Sequence, residues 1–205
     1  MITSGLLSAL QGKGIEDIAE IRFSGRKALV KDFFIGWGIR CSSLDEILIP
    51  QIEYLTNDSW EDISSYNGAS GWPILHQAQY SKGYLYVLTI PDNFSDLYKL
   101  PLEVLGRIRT VASADLKLRL DGPSQVSLFV YDNGTCIVES FLPEAVTVKL
   151  VADDPVQSVT DILSGEQIQR QEGTPVFVWG RARVTNKNFE ITIPPHSFRV
   201  FRVNR

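Results

Sequence analysis

The chain has 205 residues, 44% of them apolar and 21% charged, and a formal net charge of −4. That is ordinary globular composition, sufficient for one large domain or two small ones, and well clear of disorder. The acidic balance argues against a nucleic-acid binder, and no run reaches the ~18 apolar residues that would span a membrane.

The N-terminal sequence Met1-Ile-Thr-Ser-Gly-Leu-Leu has no charged segment followed by an apolar one, so no signal peptide is read. It resembles the middle of a structure, an apolar residue feeding a cap and a helix. An excised or truncated piece is therefore expected. Thr3 or Ser4 can cap a helix through Leu10, with Leu6, Leu7 and Leu10 on one face, ended by Gly12 and Gly14. Residues 18–23 and 28–35 read as strands joined by a hairpin at Ser24-Gly25-Arg26. Residues 46–55, 74–80 and 84–90 are further strands, the last dense in β-branched and aromatic residues. Residues 97–108 carry helical spacing, with Pro101 in the first turn and Arg107 and Arg109 at the cation-favouring end.

From about residue 115 the helical signal stops. Strands are predicted at 116–120, 126–131, 135–141, 145–151, 156–162, 175–179, 189–193 and 198–203, spaced near ten residues apart as in an antiparallel sandwich. Asp132-Asn133-Gly134 is the clearest turn, because Asn and Gly tolerate positive φ. The runs Phe189/Ile191/Ile193 and Phe198/Val200/Val203 flank Pro194-Pro195-His196-Ser197 and read as a closing hairpin. The expected fold is mainly β (α+β overall): a mixed, partial α/β segment over 1–112, then an antiparallel, immunoglobulin-like β-sandwich over 113–205. Phe129, Phe141, Phe198 and Phe201 are assigned to its core, apart from whichever falls on an outer face.

Residue chemistry points to no reaction. There is no HExxH, no paired CxxC, no phosphate-cradling glycine loop and no Gly-x-Ser-x-Gly. His76 sits in an apolar strand and reads as structural; His196 lies in a turn. Cys41 and Cys136 could bridge, but read better as two free buried thiols, and Cys41 lacks an activating neighbour. Asp45/Glu46 and Glu61/Asp62 are adjacent pairs suited to a helix start or loop, and Glu139 shares a strand face with Ile137. None forms the two facing acids that glycoside hydrolysis needs. Arg181, Arg183, Lys187, Arg199, Arg202 and Arg205 read as a solvated sheet face rather than a phosphate site.

One stretch, residues 57–72, combines Trp60, Tyr66 and Trp72 with short polar side chains in an expected loop. Aromatic faces with a few oriented hydrogen bonds suit sugar binding; the alternative is that the tryptophans plug the edge of the core. A small hydrolase would instead need a pocket joining His76 to a carboxylate and a hydroxyl or thiol.

Four segments carry a family resemblance. Thr3-Ser4-Gly5-Leu6-Leu7 resembles the strand-to-helix step of an amidotransferase-like α/β domain. Residues 86–94 with 97–101, residues 128–135 with 139–141, and the final Ile193-Pro-Pro-His-Ser-Phe-Arg-Val200 resemble the C-terminal region of large bacterial glycoside hydrolase-like proteins. In those, a catalytic barrel precedes that α/β domain and a closing β-sandwich. The resemblance implies that residues 1–112 are an incomplete amidotransferase-like domain and that the catalytic carboxylates lie outside this chain. It implies a non-catalytic accessory region with no catalytic residue and no cofactor. Its expected partners are a catalytic domain of the parent chain or a homo-oligomer partner, with carbohydrate as the candidate ligand of Trp60, Tyr66 and Trp72.

Overall fold

A computed structural model describes residues 1–36, 38–57, 59–152, 156–171, 176–178, 181–183 and 188–204, the side chains of 176–178 and 181–183 excepted. It is a mixed α/β fold with three principal β-sheets and few helices, divided into two compact units, Met1–Ile108 and Arg109–Arg205.

The first unit opens with β1 (Ile2–Thr3) and α1 (Ser4–Leu10), whose first turn is capped by Thr3 Oγ1 accepting from the Leu6 amide at 3.4 Å. Then follow α2 (Ile15–Ala19), β2 (Ile21–Ile35), β3 (Ile39–Tyr54), β4 (Trp60–Asn67), β5 (Ser70–Tyr80) and β6 (Gly83–Leu88). The six strands form one sheet in the order β1-β6-β5-β4-β2-β3, antiparallel except for β1 beside β6. A 3-10 turn at Phe94–Lys99 precedes α3 (Leu102–Ala112).

Four local expectations are corrected here. The strand expected from residue 18 begins at Ile21, because Gly14 (φ 91) and the acidic first turn of Glu16 and Asp17 start α2 instead. Ser24-Gly25-Arg26 is no hairpin. β2 continues through it as a register irregularity between Phe23 and Lys27, since its apolar positions are satisfied by β3 on both sides. The helix expected at 97–108 is split, and α3 begins only after Pro101, whose carbonyl accepts from the Leu105 amide at 3.0 Å. Residues 57–72, expected as a loop, mostly form the β4–β5 hairpin around Gly68 (φ 60).

The irregularities in β2 let the β2–β3 ribbon curl. Its Ile21/Tyr54 end meets the β5–β6 side of the sheet: Ile21 and Ile52 share a buried cluster with Leu7, Ala19 and Val87, and the Tyr54 and His76 rings lie 5.7 Å apart.

The second unit contains β7 (Leu118–Asp121), β8 (Val126–Val130), β9 (Thr135–Ser140), β10 (Val146–Ala152), β11 (Ser158–Asp161), β12 (Gln167–Gln169), β13 (Val176–Val178), β14 (Arg181–Arg183), β15 (Asn188–Ile193) and β16 (Ser197–Asn204). Sheet β15-β10-β7 and sheet β12-β11-β16-β9-β8 share one core, with Leu118, Leu150, Phe189 and Ile193 from the first and Val138, Val159 and Phe201 from the second; β13 and β14 form a two-stranded ribbon. The Asp132-Asn133-Gly134 turn closes the β8–β9 hairpin, with Gly134 at φ 78 and Asn133 Oδ1 accepting from the Thr135 amide at 3.0 Å.

The closing hairpin is corrected. β15 pairs with β10, and β16 with β9 and β11, so Pro194-Pro195-His196 carries the chain from one sheet to the other. Two prolines remove consecutive ladder donors, while the His196 amide bonds the Leu142 carbonyl at 3.0 Å. Of the four phenylalanines assigned to the core, only Phe201 is buried; Phe129, Phe141 and Phe198 are about half exposed (46%, 51% and 52%). Strand alternation puts residues 198 and 129 on the face opposite Phe201, and burial of that face needs a partner.

Candidate functional site: a groove on the curled sheet

Cross-strand register sorts the side chains of the first unit into two faces. Arg40, Phe34, Ser64 and Pro73 form one row across β3, β2, β4 and β5, with Tyr66 two residues further on the same face. Cys41, Phe33, Ser65 and Trp72 form the adjacent row on the opposite face, where Phe33 and Ser65 are fully buried. Phe34, Arg40, Ser64 and Tyr66 of the first face, together with Tyr54, Thr56, Asn57, Ser59, Trp60, Glu61 and the β4–β5 turn, line a groove of about 720 Å³.

Trp60 and Tyr66 both line this groove, along with Phe34, Arg40, Tyr54 and Glu61. Trp72 does not; it lies behind the sheet, half buried. Two of the three aromatics singled out in the sequence are therefore brought together, and the third is separated by a single step of strand alternation. Phe34, Arg40 and Tyr54 were missed because they come from the far strands β2 and β3, and no spacing in the chain announces that pairing. In the sequence Glu61 stands out only as half of the adjacent acidic pair Glu61/Asp62.

The groove combines aromatic surface with two charged groups. The Arg40 guanidinium lies 5.0 Å from the Phe34 ring centroid, a cation–π distance. Glu61 Oε2 accepts from the Tyr54 hydroxyl at 2.7 Å. Burial, and then the bond to Glu61, pushes the Tyr54 hydroxyl far above the usual tyrosine range, so it stays a donor. The neighbouring Asp62 bulges to the other face and holds Arg107 through two bonds of 2.8 Å. Among the described lining residues Glu61 is the one carboxylate.

His76 is the cross-strand partner of Glu61 but is fully buried beneath it. Its Nε2 lies 2.8 Å from the Ala19 carbonyl oxygen, which can only accept, so Nε2 carries the proton. Nδ1 has no partner among the described residues. Burial holds its pKa below the ordinary value, against the smaller opposing effects of the Ala19 carbonyl, Glu20 and Glu61. This is the environment of a structural histidine. The two thiols are free, but only Cys136 is buried as expected, Cys41 being partly exposed; desolvation raises Cys41 to about 11, with Glu103 adding to it, and Cys136 to about 12. Neither is a thiolate nucleophile near neutral pH. No group of three His, Cys, Asp or Glu suited to a metal ion occurs among the described residues, and no described helix is long and apolar enough to cross a membrane.

In the second unit, Arg199 turns inward, donating to Asp161 at 2.6 Å and Glu166 at 2.5 Å. Burial alone would raise the Asp161 pKa, but the Ser164 amide, Arg199 and the Leu163 amide together hold it below the usual carboxylate range. This cluster is structural. Arg202 points outward; Arg181, Arg183, Lys187 and Arg205 lie outside the described side chains. Glu139 is half buried on the outer sheet face between Ser127 and Phe198.

Residues 117–203 match a family model described as "probable glycosyl hydrolase, C-terminal domain". That segment, most of the second unit, is similar to part of a glycoside-hydrolase-related chain. No curated protein and no solved structure matches the chain.

Proposed function

We propose that this chain is a non-catalytic accessory region of a carbohydrate-active, glycoside hydrolase-like protein. In this reading, residues 1–112 are an amidotransferase-like α/β segment and residues 113–205 an immunoglobulin-like β-sandwich. The region packs against a catalytic domain or an oligomer partner. The observation that carries the reading is the family match over residues 117–203. Two sheets sharing one core, with the chain crossing between them at Pro194-Pro195, support the sandwich. The chain is expected to release no product from a panel of aryl glycosides. Turnover that disappears when a single carboxylate of the chain is replaced overturns the reading.

A second reading has its own observation, the gathering of Trp60 and Tyr66 in one groove. Here the groove binds carbohydrate, with the aromatic faces against sugar C–H groups and Glu61, Arg40 and Ser64 supplying oriented hydrogen bonds. Titration with polysaccharides should quench tryptophan emission and release heat, and Trp60→Ala should abolish both without loss of fold. Unchanged emission and no heat across a broad glycan panel removes this reading.

A further inference from the structure

The strongest unassigned feature is the outer face of the five-stranded sheet. Register places its outward side chains in three rows. The middle row is Phe129, Ile137 and Val200, continued by Ile162, whose amide bonds the Val200 carbonyl at 2.8 Å. One flanking row is Ser127, Glu139 and Phe198; the other is Tyr131, Thr135, Arg202 and Thr160. Phe129, Tyr131, Phe198 and Ile162 are 43–52% exposed, and Phe141 at the rim is 51% exposed. An aromatic side chain of about 150–250 Å² left half uncovered makes these four aromatics roughly 400 Å² of open surface, half of the ~800 Å² that one partner gives to a standard interface.

We propose that this face docks against the same face of a second copy of the chain. The charges favour an identical partner. Glu139 and Arg202 stand on opposite sides of the apolar row and on neighbouring strands, so among the described residues of these rows the face carries one charge of each sign in a diagonal arrangement. A two-fold axis lying in the interface, perpendicular to that diagonal, brings each Glu139 onto the other copy's Arg202 and crosses the apolar rows over each other. The diagonal runs four residues along the strands and one strand across, roughly 13 Å by 5 Å. The strands of the two copies then cross at about 40°, near the ~30° of aligned sheet packing. Thr135, Thr160 and Ser127 keep the rest of the face low and flat. The inference goes beyond the accessory reading, which leaves the partner open, and stands or falls independently of any role with carbohydrate.

The test is sedimentation velocity and light scattering of the full chain across the micromolar range. Wild type is expected to be a dimer, and Phe129→Ser with Phe198→Ser a monomer. The charge variants carry the test even if that double variant fails to fold. Arg202→Glu or Glu139→Arg alone should weaken the dimer several-fold, an effect reduced by salt, and the two combined should restore it. A monomeric wild type, a dimer indifferent to all four substitutions, or no restoration in the combined charge variant overturns the proposal. Hydrolysis or glycan-binding results do not bear on it.

Discussion

Two glycines show how differently one residue type can be required. Gly134 is needed for its backbone: at φ 78 a side chain is strained, although nothing lies within 4 Å of where a Cβ would sit. Gly122 is needed for space: a Cβ there would lie 2.7 Å from Val148 Cγ1, against a side chain that is 2% exposed. Gly134→Val should therefore cost about 1 kcal/mol or more through strain, and Gly122→Ala about 1–3 kcal/mol through overpacking, both read as shifts of the denaturant midpoint at constant slope. The glycine in Asp-Asn-Gly is legible in the sequence because its turn is local. Gly122 is not, because Val148 is a neighbour only after folding. The thiols make a second residue-scale prediction. With Cys41 raised to about 11 and Cys136 to about 12, alkylation of the native chain at mildly alkaline pH should be slow and should accelerate on unfolding. Rapid native labelling at Cys41 would show a thiol less desolvated than its place on β3 requires.

Among the elements, α3 carries two arginines with distinct partners, Arg107 in its middle and Arg109 in its last turn. Arg107 grips the buried Asp62 on β4, and Arg109 donates to the carbonyls of Gly122, Pro123 and Val126. Arg107→Ala leaves an acid that is 7% exposed without its counter-ion and should destabilise the chain by about 1–3 kcal/mol, measured by urea unfolding. The lower part of that range reflects the 37% exposure of the Arg107 side chain, which lets water screen the pair. Sequence reading placed both arginines at a helix C-terminus, where cations suit the dipole. It could not find Asp62, 45 residues away, whose place in the irregularity between Glu61 and Ile63 is a property of β4–β5 pairing. The same limit explains the β2 irregularity read as a turn. Ser24-Gly25-Arg26 has turn chemistry, but β3 pairs with β2 on either side of it, and long-range pairing overrides the local signal.

For the whole molecule, buried His76 makes stability depend on pH in a defined direction. Its folded pKa lies below the ordinary value of 6.5, so the unfolded chain takes up a proton first as pH falls. The stabilisation from neutral His76 is fully present above pH about 6.5 and is lost as pH falls from there toward the folded value. Unfolding free energy measured across that window should decline on acidification, and His76→Gln should flatten the decline. An unchanged slope in the variant would assign the effect to other groups.

What the sequence determined by itself was local and periodic: the Thr3-capped first helix, the β character of the described residues after 115, and the 132–134 turn. Each depends on residues within one turn or one strand of each other, where propensity and alternation act directly. The tertiary structure decided everything that requires strands to choose partners. It sent the final two strands into different sheets, put Trp72 behind the groove that holds Trp60 and Tyr66, and turned Phe129 and Phe198 outward on an open sheet face. Strand pairing is set by the burial of faces contributed from distant parts of the chain, and a single sequence states the faces without stating which of them meet.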